Sequence, residues 1–384
     1  MRYVDLGLIK QNKLKFKKKK RLFKIGILVL GFLITFLIFK TGVPNDLLLF
    51  IRGEEVSLKS TSGRTNILIL GIDKRSSVPY TVESKDGLVK HVGFLADTII
   101  LLSINRNTKE ATLISIPRDL WVKISGWDNV RTQEGKINSS YSLGERFDYP
   151  GGGLALVKQV TSENLGVPVH YGLRIDFSGF RKMIDTLGRI DVNVDNSFDD
   201  YNYPIEGKED DDCGGDPEFR CRFERIRFEK GLNNMNGETA LKFVRSRTGT
   251  NNEGSDFARA TRQQKVIIAI RDKALSKETV FDPGKVAKLI SDFGETIESD
   301  INVSALPALF NLSKEISFER IKTFVLDNSS DGVLTNPPKE DYQGLYVLIP
   351  KDRDWNKLRA FVKGLLAGSV VTKPTVGEKG EKIE

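Results

Sequence analysis

The sequence predicts an α/β fold, a central mixed β-sheet flanked by helices in an α/β/α arrangement, preceded by one N-terminal transmembrane helix. Three observations predict it. Short apolar runs of strand length alternate with helix-length amphipathic segments from about residue 64 to residue 366. A single 18-residue apolar stretch, Leu22–Phe39, stands apart near the N-terminus. The excess positive charge is confined to one end: residues 1–40 hold eleven Lys and Arg against one Asp, so the rest of the chain carries −2 of the overall +8.

That charge distribution argues against a nucleic-acid-binding face, because the cations form a short block and do not line a folded surface. The block abuts the apolar stretch, whose sole charge, Lys24, lies near one end where it can snorkel. Lys and Arg on the N-terminal side place that end in the cytoplasm. A cleaved secretory signal shares these features, but the following KTGVPNDLLLF offers no small-x-small cleavage site. The expected organisation is a basic cytoplasmic segment 1–21, a membrane helix 22–40, a spacer 41–63, an extracytoplasmic domain 64–366 and a polar, disordered tail 367–384.

Within the domain, Asn66–Leu70 (NILIL) reads as a buried strand ending at Gly71 and running into a polar loop that extends to Phe94. Asp97–Ile104 and Ala111–Ile116 read as strands joined by the turn Asn105–Glu110. Gly151–Gly153 opens a helix to about Asn164, followed by a strand Val167–Phe177, a helix Gly179–Leu187 and a strand Ile190–Val194. Residues 196–230 form an acidic excursion containing Cys213 and Cys221. In an exported chain this pair is expected to form a disulfide, since two thiolates without a nearby His make a poor zinc site. Residues 236–246 and 254–275 read as helices, the second capped by Ser255 or Asp256. Two further strand-like runs, Lys322–Leu326 and Leu345–Ile349, lie among helices in 283–366.

Chemistry concentrates in Phe243–Gln264 (FVRSRTGTNNEGSDFARATRQQ), where Arg245, Arg247, Arg259 and Arg262 accompany Asp256. Arginine keeps its charge when desolvated and presents a planar fork matched to phosphate oxygens, so such a set suggests an oxyanion pocket. A solvated charged face is the competing reading of the cluster taken alone. Asp73 and Arg75 follow one strand, Asp97 begins the next, and Arg118 and Asp119 follow the third, at the strand ends where open α/β sheets build sites. Carboxylates such as Asp73 and Asp97 can hold Mg²⁺ together with phosphate oxygens. The presence of only His91 and His170, and of no GxSxG, argues against a Ser-His-Asp hydrolase.

The order Asn66–Arg75 (NILILGIDKR), Ala96–Ile100 (ADTII), Ser115–Asp119 (SIPRD), Lys136–Asn138 (KIN), Gly151–Gly153, Asn236–Arg247 (NGETALKFVRSR) and Asp256–Gln263 (DFARATRQ) resembles the LytR-CpsA-Psr family of bacterial cell envelopes. The resemblance covers about residues 64–365. It implies a membrane-anchored phosphotransferase that moves a glycan from a polyprenyl-pyrophosphate carrier onto peptidoglycan, with an apolar tunnel for the lipid and Mg²⁺ or Mn²⁺ as cofactor. On that basis Asp73 and Asp97 are the expected metal ligands. Arg118, Arg245, Arg247, Arg262 and Gln263 would contact the pyrophosphate, with Arg75, Lys136 and Arg259 nearby. Asp256 is either the base for the acceptor hydroxyl or the partner that orients Arg259, and Arg247 is its expected catalytic companion. A non-catalytic polyprenyl-phosphate binder linked to envelope regulation, and a pyrophosphatase using water as acceptor, are the alternatives. The chain departs from the family pattern at Leu95, where an arginine is frequent, and at Gly188-Arg189 in place of a Gly-Gly pair. Its loops 76–94 and 196–230 are long for the family.

Overall fold

The structure, a computed structural model, describes residues 57–72, 80–83, 89–92 and 94–369. The expected membrane helix, the basic segment before it, most of the spacer, most of the C-terminal tail, Asp73 and Arg75 lie outside the described residues. Among those described, no helix is long and apolar enough to cross a membrane. The chain divides into two compact units. One comprises Ser57–Ile301 and Ala308 onward; to the other, Asn302–Pro307 contribute a 3-10 turn, Val303–Ala305.

The larger unit is built on a six-stranded sheet: β1 (Arg64–Ile72), β2 (Ala96–Asn105), β3 (Glu110–Ser115), β4 (Tyr171–Asp176), β5 (Ile297–Ser299) and β6 (Ile321–Val325), in the order β5-β4-β1-β2-β3-β6. The pairs β1/β4 and β3/β6 are parallel and the other three antiparallel, so the sheet is mixed. Helices flank it: α1 (Ser139–Arg146), α2 (Gly152–Leu165), α3 (Phe177–Leu187), α4 (Gly237–Arg245), α5 (Asp256–Ala274), α6 (Lys277–Val280), α7 (Pro283–Thr296), α8 (Leu306–Lys314) and α9 (Trp355–Ala367).

Two apolar cores hold these elements. The first joins Leu68, Leu70 and Ile72 of β1 and Ile99 and Leu101 of β2 to Val157 and Val160 of α2 and Val362 of α9. Alternate residues of β1 share this face because strand side chains repeat every two residues. The second core packs α3, α4 and α5 against the strand pairs Ile190–Val194/Gly231–Met235 and Phe198–Pro204/Phe223–Phe228, around Phe198, Phe228 and Phe243. At the α1/α2 crossing the backbones nearly touch: a Cβ on Gly153 would lie 2.2 Å from the Tyr141 carbonyl oxygen. Gly151, at φ 87°, makes the left-handed turn that starts α2, as the glycine run predicts.

Several expectations shift by local chemistry. The strand expected from Val167 begins at Tyr171, because Gly166 closes α2 in the left-handed region and Pro168 follows. Ile190–Val194 is a strand, but it pairs with Gly231–Met235 outside the main sheet. In place of a strand over Leu345–Ile349, Leu348 makes a single parallel bridge to Leu120, and Ile349–Pro350 pairs with Leu334–Thr335. Gln343 at φ 57° and Gly344 at φ 79° turn the chain just before, leaving Leu345 and Tyr346 exposed. The acidic excursion is no plain loop. It carries the ribbon Phe198–Pro204/Phe223–Phe228 and the Cys213–Cys221 disulfide.

Candidate active site

Sheet topology gathers the charged strand ends. β1, β4, β3 and β6 finish, and β2 starts, at one edge, since Ile72 lies opposite Asp176 and Val325 opposite Ser115. Between β1 and β2 the register slips: Gly71 faces Thr98 but Ile72 faces Ala96, leaving Asp97 as the extra residue of a bulge. A bulge re-aims the side chain it contains, and here it presents the Asp97 carboxylate at the sheet edge.

Asp97 is gripped from two sides. Arg118, just past β3, donates from Nη1 to Oδ1 at 2.9 Å, and Arg247 donates from Nη2 to Oδ2 at 3.3 Å. Arg118 also lies 3.5 Å from Asp119, whose other oxygen takes Lys136 Nζ at 2.6 Å. Burial works against the Arg118 charge, but Asp97, joined by Asp256 and Asp119, outweighs it and raises the pKa above the ordinary arginine value.

Asp97, Arg118, Asp119 and Arg247 line a two-lobed cleft. The first lobe, about 240 Å³, is bounded by Arg118, Asp119, Asp256 and Tyr346, with an apolar wall of Ile99, Ile116, Phe257, Val325 and Leu348. The second, about 460 Å³, is bounded by Phe177, Asp200, Tyr203, Arg245 and Arg247. Asp97, Thr98, Arg259 and Gln263 belong to both.

Arg259 sits at this junction and is the least comfortable cation in the cleft. It is 6 % exposed, and its Nη1 is 2.8 Å from Asp256 Oδ1 yet has no hydrogen-bond partner among the described residues. Burial pushes its guanidinium down to about 10; Asp256 opposes that, while Arg247 and Arg118 add to it. The buried Arg118 Nε also lacks a hydrogen-bond partner among the described residues. Unmet buried donors on cationic groups are uncommon in folded proteins, and an anion entering the cleft would meet them.

The other sequence-derived residues divide clearly. Arg245 packs 4.3 Å over the Phe177 ring and donates to the Tyr203 hydroxyl at 3.2 Å, along the second lobe. Asp256 opens α5 at the cleft, half-exposed, one residue after the N-cap Ser255, whose hydroxyl accepts from the Ala258 amide. Gln263 lines both lobes, and Lys136 is engaged behind the cleft by Asp119. Arg262 is turned away from the cleft. At 2 % exposure it donates to the carbonyls of Phe243 (2.9 Å), Ser246 (2.6 Å) and Glu253 (2.7 Å) and pairs with Glu253 Oε2 at 2.8 Å. It fastens the segment that carries Arg245 and Arg247 and lines neither lobe of the cleft.

One site residue had no signal in the sequence. Asp200, 1 % exposed, accepts from the Ser246 hydroxyl (2.7 Å), the Thr248 hydroxyl (2.5 Å) and the Arg247 amide (3.2 Å). Burial raises the energy of its carboxylate, but the hydroxyls of Thr248 and Ser246 and nearby amides hold its pKa below the usual range. Asp200 and Tyr203 both face inward because a register shift between them adds a residue to that strand. Within the acidic excursion 196–230, nothing in the sequence singles Asp200 out from its neighbouring acids.

For a divalent cation, Asp97 is the one expected ligand inside the described residues. Each of its oxygens takes a single arginine donor, and a carboxylate has room for more, so Asp97 fits an ion that shares phosphate oxygens. Among the described residues, a clustered ligand set occurs only at Asp211, Cys213 and Cys221, where both sulfurs are already joined in the disulfide.

Residues 49–361 match the LytR_cpsA_psr family model. The chain belongs to the LytR_cpsA_psr family. Among its relatives it is 26 % identical over 279 residues to the polyisoprenyl-teichoic acid–peptidoglycan teichoic acid transferase TagV of Bacillus subtilis, covering 73 % of this chain and 60 % of TagV. It is 26 % identical over 299 residues to the transferase TagU of Oceanobacillus iheyensis, covering 78 % and 75 % respectively. The crystal structure of B. subtilis TagV shares the fold, with a TM-score of 0.53 at 24 % identity over 80 % of this chain and 99 % of that one.

Proposed function

We propose that this LytR_cpsA_psr member transfers a glycan, as its phosphate, from a polyprenyl-pyrophosphate carrier to a hydroxyl of peptidoglycan. The observation that carries the reading is Arg259: a buried guanidinium with an unmet donor at the junction of two lobes, beside Arg118, Arg247 and Asp97. The naming of relatives as teichoic acid transferases supports the same substrate class.

In this reading the diphosphate lies at the junction, contacted by Arg118, Arg247, Arg259 and Gln263. The isoprenoid follows the apolar wall of the first lobe, and the glycan occupies the second with Arg245. The acceptor oxygen attacks the phosphorus nearer the glycan, and the bond from that phosphorus to the bridging oxygen breaks. The bond pair leaves with polyprenyl monophosphate, and the hydroxyl proton passes to Asp256, which is half-exposed at the cleft. Phosphoryl transfer of this kind needs positioning and charge neutralisation more than covalent catalysis, and oriented arginines supply both. Asp97, with Asp73 from outside the described residues, would hold Mg²⁺, which supplies further neutralisation of the phosphate oxygens.

Residues 22–40 are proposed as the membrane anchor, with the basic segment inside and the catalytic unit outside. The Cys213–Cys221 disulfide supports that placement, because such bonds persist in oxidising compartments.

The test supplies full-length protein in lipid nanodiscs with a polyprenyl-pyrophosphate-linked, radiolabelled glycan and insoluble peptidoglycan. Label should become covalently attached to the peptidoglycan and be lost in Asp97→Ala. An intact donor after prolonged incubation contradicts the reading.

A further inference from the structure

We infer that the exposed face of the ribbon Phe198–Pro204/Phe223–Phe228 is a docking surface for the saccharide chain of the donor, continuing outward from the second lobe. This rests on the diphosphate reading of the cleft. Along the ribbon, Phe198, Asp200, Tyr203, Ile226 and Phe228 face the core. The opposite face exposes Tyr201 (56 %) and Phe223 (39 %), together with Arg225 and Arg227. Single exposed aromatics are ordinary, but two rings and two guanidinium groups on one face mark a contact surface. Here Arg225 lies 5.2 Å from the Tyr201 ring centroid.

Two observations choose the occupant. The first is continuity: Asn202, Tyr203, Pro204 and Phe223 form the near end of the ribbon and also line the second lobe. The first lobe's apolar wall is mainly aliphatic, from Ile99, Ile116, Val325 and Leu348, whereas the second lobe's is mainly the rings Phe177, Tyr203 and Phe223. The isoprenoid belongs to the first, and the sugar on the other side of the diphosphate leaves across Phe223 toward Tyr201. The second is chemistry. Sugar rings offer an apolar C–H face that an aromatic ring can cover, while their hydroxyl and phosphate groups accept from arginine.

The surface is also held in shape before any ligand arrives. Asp199 pairs with Arg225 at 2.8 Å and Arg227 at 3.2 Å, the Ile205 amide donates to the Arg222 carbonyl at 2.8 Å, and the disulfide closes the loop beyond. A rigid platform loses little entropy on binding, so a few rings suffice.

The experiment uses full-length protein, wild type and a Tyr201→Ala/Arg225→Ala double variant, with Tyr201→Trp as the conservative change. Affinity is measured for farnesyl diphosphate and for farnesyl diphosphate linked to an N-acetylglucosamine tetramer. Wild type should bind the tetramer-bearing lipid about tenfold more tightly than the bare lipid, roughly the gain from one or two covered rings. The double variant should lose that gain and keep its affinity for farnesyl diphosphate, and Tyr201→Trp should preserve it. A wild-type protein showing no gain, or a double variant that retains it, overturns the docking surface. So does loss of affinity in the variant for soluble peptidoglycan strands only, which would make the ribbon an acceptor surface. Wild type that binds neither lipid fails at the cleft, which removes the underlying reading as well.

Discussion

Arg259 holds a charge where the protein itself supplies too few partners, and that tension makes a prediction. Replacing it with methionine removes a buried, poorly satisfied cation and leaves Asp256, which is half-exposed and can be solvated. Arg259→Met should therefore be as stable as the parent or more so, by about 1–3 kcal/mol on the pattern of buried ions replaced by apolar side chains, while losing affinity for diphosphate ligands. Thermal unfolding and ligand titration on the same samples check both halves. The neighbouring arginines should separate by role. Arg245→Lys and Arg247→Lys keep the charge but lose the fork, so turnover should drop at least about tenfold with little change in melting temperature. Arg262→Lys should do the reverse at first sight: lysine cannot reproduce three carbonyl contacts, and stability should fall by about 1–3 kcal/mol. A silent Arg262→Lys, or an unstable Arg247→Lys, would exchange the roles assigned to them. The sequence showed these arginines as a set but not their directions. Six residues along a helix rotate a side chain by about 120° from its starting direction, which is enough to take Arg262 from the cleft edge that Asp256 occupies to the carbonyls of the neighbouring helix end.

At the scale of elements, the entry to β4 contains a pH-sensitive joint. The Asn66 amide donates to His170 Nδ1 at 2.9 Å, so that nitrogen must be unprotonated, and Nε2 lies 2.9 Å from the Thr61 hydroxyl. Burial first, and then Lys158 and Lys59, lower the His170 pKa below its ordinary 6.5. The unfolded chain takes up this proton more readily than the folded one. The His170 contribution to stability is thus complete above about pH 6.5 and declines as pH falls below that value toward the folded pKa. Denaturation midpoints of the parent should decrease between pH 7.5 and 5.5 by more than those of His170→Gln; equal slopes would remove His170 as the cause. Element by element, legibility followed local signal. The Asn66–Leu70 run, the Asn105–Glu110 turn and the glycines before α2 each announce their structure within a few residues, and all three are found there. The helix of the arginine cluster, expected over 254–275, runs from Asp256 to Ala274 with Ser255 as its cap. What stayed hidden depends on partners distant in sequence. Ile190–Val194 carries no mark of pairing with Gly231–Met235, nor Asp97 of being the extra residue in a bulge, nor Asp200 of anchoring Ser246–Thr248.

The whole molecule places one edge of a mixed sheet against a second core of helices and ribbon, and the cleft lies where both contribute side chains. Asp97 and Arg118 come from the sheet and Arg245 and Arg247 from the second core, while Gln264 ties α5 to Ser115 and the Phe324 carbonyl at 2.8 and 2.7 Å. A site assembled this way has its charges fixed before substrate arrives, as electrostatic catalysis requires. The diphosphate at that junction is proposed to be split with transfer of the glycan-side phosphorus. Phosphorus NMR of the full-length protein, incubated with polyprenyl-pyrophosphate-linked glycan and peptidoglycan strands, follows each phosphorus directly. The diphosphate signals should disappear while one polyprenyl monophosphate and one new phosphodiester appear in equal amounts. Persistent diphosphate, or a glycan monophosphate with no phosphodiester, would contradict this transfer.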